Sequence, residues 1–338
     1  MSMKQLGVAA VMMLCAVGAS ASNFRAADQV YLPVAGNLIG GGGAVRFVSD
    51  VFIANLTADD VSVSVVSVPF GASPGLGTDF NNVIQLAPYE RKQYLNFYQS
   101  ALGQSSGFGQ LIFNGCKAGT SCGPETQNQQ GVSPNFRNIS VQSRIYSVPN
   151  PTPANPPTTG QLFSGIPWYH FVSSLQSSNG LDKVFITGIT NNGTVGQAGT
   201  FRSNVGLVNA SQYSRTTMVV NLYQGRLNAA DLKGTYQVDL EPLGNVQPSF
   251  AAMFPNAAPG SNYFVTVEQR NNVPVGNVPA DCVQGCPAFL AYGSVLDNVT
   301  GDATTLEAQY LHALSDEALI EIYPSGSGKA NIRRSVRH

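Results

Sequence analysis

Gly199-Thr-Phe-Arg-Ser-Asn-Val-Gly-Leu-Val-Asn-Ala-Ser211 repeats, with small changes, Ala44-Val-Arg-Phe-Val-Ser-Asp-Val-Phe-Ile-Ala-Asn-Leu-Thr57. Each copy holds an arginine (Arg46, Arg202), then Asp50 or Asn204, a strand-like run, and an asparagine (Asn55, Asn209). A polar turn and a second β-rich run follow both, over Val61–Val68 and Thr216–Tyr223. A strand, a turn and a strand written twice predict a duplicated β-domain.

Further landmarks recur in the same order outward from these copies. Leu240-Glu-Pro242 answers Leu86-Ala-Pro88, and Tyr263-Phe-Val-Thr-Val267 answers Leu111-Ile-Phe113. Tyr292–Leu296 answers Val141–Ile145, and Trp168–Val172 parallels Tyr31–Val34 at the start of the second unit. Val61, Val63 and Val65 alternate with Ser62 and Ser64, a period of two with one face buried and one wet. Between the strands stand Gly, Pro and Asn, and the Asn-Asn-Gly at 191–193 predicts a hairpin turn leading into the second copy. Tyr94, Leu95, Tyr98 and Leu102 fall at helical spacing, predicting one short helix over Tyr89–Leu102. The expected fold is therefore all-β: two tandem antiparallel, Ig-like β-sandwiches from an internal duplication, with at most one or two short helices. The proline-rich run from Pro149 to Pro157 marks the boundary. It divides the chain into a first domain over 22–165 and a second over 166–324.

The ends read differently from the body. Lys4, the apolar run Leu6–Val17 and Ala19-Ser20-Ala21 compose a secretory signal peptide over residues 1–21. No other stretch is long and apolar enough to span a membrane as a helix. Residues 325–338 carry Lys329, Arg333, Arg334 and Arg337 without an acid and read as a basic flexible tail. The body before that tail is acidic on balance, which excludes nucleic acid as a partner, since phosphates demand clustered Lys and Arg. Charged residues make up 11%, well below the usual share of about 25%, so self-repulsion is weak and self-association is open. Cys116, Cys122, Cys282 and Cys286 survive processing and predict two local disulfides, 116–122 and 282–286.

Phe201–Asn209 fits an Arg-[Thr/Ser]-[Asp/Asn]-strand-Asn pattern, and Ser294-Val-Leu-Asp-Asn-Val-Thr-Gly-Asp302 fits Ser-Val-x-Asp-Asn-x-Thr-Gly-Asp. With these two motifs the chain resembles a group of exported bacterial proteins built of tandem β-sandwich domains, over most of residues 30–310. The first half departs from the pattern by two extra residues between Arg46 and Asp50. In that group the repeat often accompanies extracellular proteases. The resemblance thus implies fold and export and little about activity.

Candidate chemistry is sparse. Gly71-Ala-Ser-Pro-Gly75 spells G-x-S-x-G, yet Pro74-Gly75 makes a turn where a nucleophile elbow needs a helix. His170, His312 and His338 stand apart from one another and from any Cys, Asp or Glu cluster, which argues against a triad and a transition-metal site. Asp297 and Asp302 offer oxygen ligands suited to calcium, but equally suit a β-turn. Asp59-Asp60 reads as a charged turn. Arg46 and Arg202 at matched positions, with Asp50, Asn55, Asn204 and Asn209, read as structural residues of the repeat. Asn55, Asn138, Asn192, Asn209 and Asn298 head N-x-[Ser/Thr] sequons.

These observations lead to an exported, non-enzymatic structural or adhesive surface protein without a cofactor. Its partners are then further copies of itself or a cell-envelope or extracellular polymer. Trp168, Tyr169, Tyr94 and Tyr98 are candidates for its binding face, most of them reading as core. A secreted carbohydrate-binding module is the alternative. A hydrolase with a noncanonical site ranks third.

Overall fold

A computed structural model describes residues 26–40, 43–120, 135–152, 158–175, 183–280 and 282–310. The signal-like segment, Cys122, His312, His338, residues 153–157 of the proline-rich run and the basic tail lie outside the described residues.

The first half contains β1 (Gln29–Gly40), β2 (Val45–Asn55), β3 (Val61–Pro69), β4 (Thr78–Leu86) and β5 (Arg91–Tyr94). After a one-turn helix α1 (Phe97–Ser100) come β6 (Gly107–Lys117), β7 (Ile139–Pro149) and β8 (Thr159–Ser164). One layer runs β4-β3-β6-β1; the other holds β2, β7 and β8, with β5 against the free side of β2. Strand β1 joins the layers because it changes partner along its length. It pairs with β6 over Gln29–Asn37, with a shift between Leu32 and Ala35, and with β2 over Asn37–Gly40. The alternating valines of β3 do what their period predicts: Val61, Val63 and Val65 are fully buried against Val51, Ile53 and Val141 of the facing layer.

The second half repeats this plan strand for strand. It comprises β10 (Lys183–Asn191), β11 (Phe201–Asn209), β12 (Ser214–Gln224), β13 (Leu232–Leu240) and β14 (Asn245–Val246). Helix α2 (Phe250–Met253), β15 (Gly260–Pro274), β16 (Phe289–Asp297), β17 (Ala303–Glu307) and β18 (Gln309–Tyr310) complete it. The order β13-β12-β15-β10 answers β4-β3-β6-β1, and β14-β11-β16-β17 answers the layer of β5, β2, β7 and β8. Ile186, Val205, Leu207, Val220 and Val265 fill the space between the two sheets. The chain is thus a pair of tandem antiparallel sandwiches.

Four local expectations need correction. Trp168–Val172 is not the counterpart of Tyr31–Val34; that role belongs to β10. Instead β9 (Ile166–Pro167) pairs with β1, and Trp168 sits in a single helical turn with its indole N–H donating to Asp28 Oδ1 (2.9 Å). Phe171 packs edge-on against Tyr31 at 4.7 Å, so Trp168 and Phe171 seal the first core, while Val172 already belongs to the second and pairs with Phe289. Tyr89–Leu102 is not one helix either. Residues Arg91–Tyr94 take the open edge of β2 at Val51–Ala54, and Asn96 in the left-handed region limits the helix to one turn. Of the residues expected on one helical face, Tyr98 and Leu102 are buried and Leu95 is exposed, while Phe97, outside that pattern, is buried. The Asn-Asn-Gly turn does not close a hairpin, because β10 and β11 lie in different sheets. Asn192 Oδ1 instead accepts from Phe201 N (2.7 Å), guiding the chain from one layer to the other. Finally, Tyr292 stands opposite Gly206 where Gln142 stands opposite Phe52, one residue beyond the predicted match.

Candidate functional site

The repeat asparagines are turn locks. Asn55 Nδ2 donates to Asp59 O (2.7 Å) and Ala87 O (2.9 Å), while its Oδ1 accepts from Thr57 N (2.9 Å). Asn209 Nδ2 donates to Ser214 O (2.7 Å), Glu241 O (3.0 Å) and Leu240 O (3.3 Å), and its Oδ1 accepts from Ser211 N (3.1 Å). Both asparagines are fully buried. Each ties its own turn to the residues preceding a left-handed residue, Tyr89 (φ 57°) or Leu243 (φ 59°), which follows Pro88 or Pro242. Ser49 and Ser203 also match: each hydroxyl accepts from a backbone N–H of the first strand, Gly36 (2.8 Å) or Thr190 (2.9 Å).

The arginines do not match. Counted back from the asparagines, Arg202 stands where the first half has Val48, opposite Leu296 rather than Tyr146. Arg46 grips Asn37 Oδ1 with Nε (2.9 Å) and Nη2 (2.7 Å). Arg202 reaches Asn298 Oδ1 (2.9 Å), and Asn298 donates in turn to Thr200 Oγ1 (2.9 Å). That chain of bonds links the two motifs of the second half. The extra residues before Asp50 shift the guanidinium along the strand.

Asp50 and Asn204 share one register and differ in use. Asp50 Oδ1 accepts from Asn96 N (2.9 Å) and Tyr146 O–H (3.3 Å), pinning the start of α1. In the second half the backbone performs this task, through a bridge between Asn204 and Ser249 and a bond from Val205 N to Pro248 O (3.1 Å). The Asn204 side chain is left with no hydrogen bond among the described residues. Alternation along β11, with Ser203 and Val205 inside, puts it on the outer face of the sheet, toward the first sandwich.

That outer face is half covered. At one end Val208, Leu290 and Tyr292 enter the core of the first sandwich, with Phe163 edge-on to Tyr292 at 5.4 Å. Burial pushes the Tyr292 phenol far above its ordinary range. A backbone seam supports the contact: Gly71 N donates to Asn245 O (2.9 Å), Asn245 N to Gly71 O (2.8 Å), and Glu241 N to Ala72 O (2.9 Å). Gln110 Nε2 adds a buried bond to Leu243 O (2.8 Å). The G-x-S-x-G letters are therefore part of a joint, with Ser73 exposed in its loop.

At the other end the sandwiches part, leaving an open cleft of about 280 Å³. The first sandwich contributes Leu38, Phe47, Phe108 and Ile145. Both rings lie over glycines of β1: a Cβ on Gly36 would stand 2.7 Å from Phe108, and one on Gly40 2.8 Å from Phe47. From the second sandwich come Asn204, Gln247, Ser294 and Leu296, with Gln161 of β8 between, its Oε1 accepting from Ser294 Oγ (3.1 Å). Every lining residue is uncharged. Nothing in the sequence announced this cleft, since its walls are residues far apart in the chain.

A second aromatic feature lies on the outer face of the five-stranded sheet. Tyr223 and Phe264 stack at 5.2 Å with planes 14° apart, and Phe185 follows at 6.4 Å. Of the candidate binding-face aromatics, Trp168 and Tyr98 are core residues, as most of the set was expected to be, and Tyr94 packs edge-on to Phe97.

The remaining candidates have structural partners. Asp297 Oδ1 accepts from Val299 N and Thr300 N (both 2.8 Å), which holds its carboxyl below the ordinary range and makes it the anchor of a turn. Asp59 binds Arg137 (2.6 Å) and Lys117 (3.2 Å), which lower its pKa. No group of three or more His, Cys, Asp or Glu among the described residues suits a metal ion. Asn55, Asn209 and Asn298 are buried and bonded, which leaves Asn138 and Asn192 as the accessible sequon asparagines. Cys282 and Cys286 are disulfide-bonded to each other; Cys116 is disulfide-bonded as well.

No protein-family model matches the sequence, and no curated protein does. Among solved structures, it is similar to Bacteroides uniformis β-glucuronidase 2, at 10% identity and a TM-score of 0.15, over 83% of this chain and 25% of that one. The BSP domain of a biofilm-associated protein gives 11% identity and a TM-score of 0.17, over 85% of this chain and 60% of that one. A structure of broad bean stain virus gives 10% and 0.20, over 84% and 89%. The chain thus spans a quarter of the glucuronidase and three fifths of the BSP chain. At such scores these likenesses bear no functional argument.

Proposed function

We propose that this chain is an exported, non-enzymatic surface protein that works by contact, as a structural or adhesive module. The observation that carries this reading is the seam. Two sandwiches joined by reciprocal backbone bonds, with Val208, Leu290 and Tyr292 of the second set into the core of the first, make a stiff body, and stiffness suits a part that bears on a surface or on its own copies. The polar residues of the repeat are spent on locking turns, which is framework work. Partners on this reading are further copies of the chain or a cell-envelope or extracellular polymer.

The test combines assembly and retention. The secreted chain, disulfides intact, is examined by light scattering and negative-stain microscopy, then incubated with purified cell envelopes. Ordered polymers or retention on envelopes support the reading. A monomer that ignores envelopes and turns over members of an ester, peptide and glycoside panel contradicts it.

A further inference from the structure

We infer that the cleft between the sandwiches is a binding site for a neutral saccharide. The inference rests on the contact reading above and supplies the ligand class for it.

The first argument is the chemistry of the walls. Phe47 and Phe108 present phenyl surface, and Leu38, Ile145 and Leu296 extend it, so one side of the ligand must be apolar. The opposite rim carries side-chain amides. Asn204 and Gln247 have no hydrogen-bond partner among the described residues, and Gln161 spends only its oxygen, on Ser294. An amide offers donors and an acceptor side by side, and a hydroxyl needs both. A sugar ring combines these demands, with C–H faces for the phenyl rings and a rim of hydroxyls for the amides.

The second argument is charge. No lining residue carries a charge at neutral pH, and the charged groups beside the walls are engaged: Arg202 with Asn298, Arg46 with Asn37, and Arg144 over the ring of Tyr146, whose hydroxyl donates to Asp50. A phosphate, carboxylate or ammonium group would lose its hydration there without a counter-charge. Neutral ligands do not meet that penalty. The volume, about 280 Å³, lies near the lower end of ligand pockets at about 300 Å³, which suits one or two sugar rings.

The third argument comes from the duplication. At this register the first half has Asp50, whose Oδ1 accepts from both Asn96 N–H and the Tyr146 hydroxyl. In the second half the backbone bridge to Ser249 takes over that task, and the asparagine is left facing the cleft. A polar side chain released from structure and aimed at an apolar hollow is available for recognition.

The test titrates the intact chain with maltose, cellobiose and N,N′-diacetylchitobiose, with glucuronic acid as the charged comparison, by saturation-transfer NMR and calorimetry. At least one neutral disaccharide should bind, and glucuronic acid should bind more weakly. Asn204→Ala and Gln247→Ala should each weaken binding about tenfold while leaving the melting temperature in place. Tyr223→Ala, on the stacked aromatic row of the far sheet, should leave binding unchanged. No binding of any neutral disaccharide at millimolar concentration overturns the inference, as does binding that the cleft variants leave intact or that Tyr223→Ala abolishes. If no neutral disaccharide binds while envelope retention persists, the site falls and the contact reading stands. If the wild type hydrolyses a bound disaccharide, the contact reading falls while the site remains.

Discussion

Two cross-strand pairs occupy the same place in the two sandwiches and serve opposite ends. In the first, Asp50 faces Arg144; in the second, Asn204 faces Ser294. The charged pair belongs to a closed structural network in which Arg144 lies 4.8 Å over the Tyr146 ring and Asp50 holds the start of α1. The neutral pair opens onto the cleft. Two residues further along the strands the contrast recurs. Phe52 opposite Gln142 becomes Gly206 opposite Tyr292, and the missing side chain lets the Tyr292 ring lie flat over the strand. The repeated framework stays constant while its outer face changes, and the face that changed in the second half is the one that meets the first.

This contrast can be broken at four points. The largest effect belongs to the shared framework. Asn209→Ala removes an amide whose two N–H groups serve three backbone carbonyls and should cost about 3 kcal/mol, with Asn55→Ala close behind at about 2 kcal/mol, measured by urea unfolding. If either substitution is neutral, the lock is not what holds that turn. Next comes the divergent face. A Cβ at position 206 would collide with the Tyr292 ring, so Gly206→Ala should cost about 2 kcal/mol, mostly by loosening the seam. Phe52→Ala, at the equivalent half-exposed position, should cost less than Gly206→Ala; the reverse order would undo the comparison.

A smaller effect follows from exchanging the pair itself. Asp50→Asn should cost about 1 kcal/mol through a weakened bond to Asn96 N–H. Asn204→Asp should change stability by less than about 0.5 kcal/mol, because nothing in the fold depends on that side chain.

The smallest effect is in pH. Asp59 and Asp297 have folded pKa values below their unfolded ones. Their contribution is therefore complete above the ordinary carboxylate pKa of about 4 and is lost as pH falls through the folded values. Glu307 beside the seam is the opposite case, with burial raising its pKa, so its ionisation opposes folding at neutral pH. Glu307→Gln should raise the melting temperature at pH 7 and leave it unchanged at pH 3. Asp297→Asn should lower it at pH 7 and leave it unchanged once the wild-type carboxyl is protonated.

The fold was legible because its signals are local. Asn55 and Ala87, like Asn209 and Glu241, lie within one repeat, each acceptor just before a proline, and alternating valines declare their buried face without outside help. The arginines misled, since a match in composition says nothing about a two-residue shift along a strand. Trp168 misled for a different reason. Its partner Asp28 is 140 residues away, and no local pattern distinguishes an aromatic that starts a strand from one that seals a neighbouring core. The cleft lay beyond reading altogether, being a property of how two finished sandwiches meet. Only Asn204 could have hinted at it, as the neutral member of a pair whose other copy is charged.

The central claim is that the two sandwiches form one body. Differential scanning calorimetry of the chain with its disulfides intact tests this most directly. One transition is expected, with calorimetric and van't Hoff enthalpies in agreement, and Asn209→Ala should lower the melting of the whole molecule. Two separate transitions, with Asn209→Ala shifting one and leaving the other in place, would contradict it.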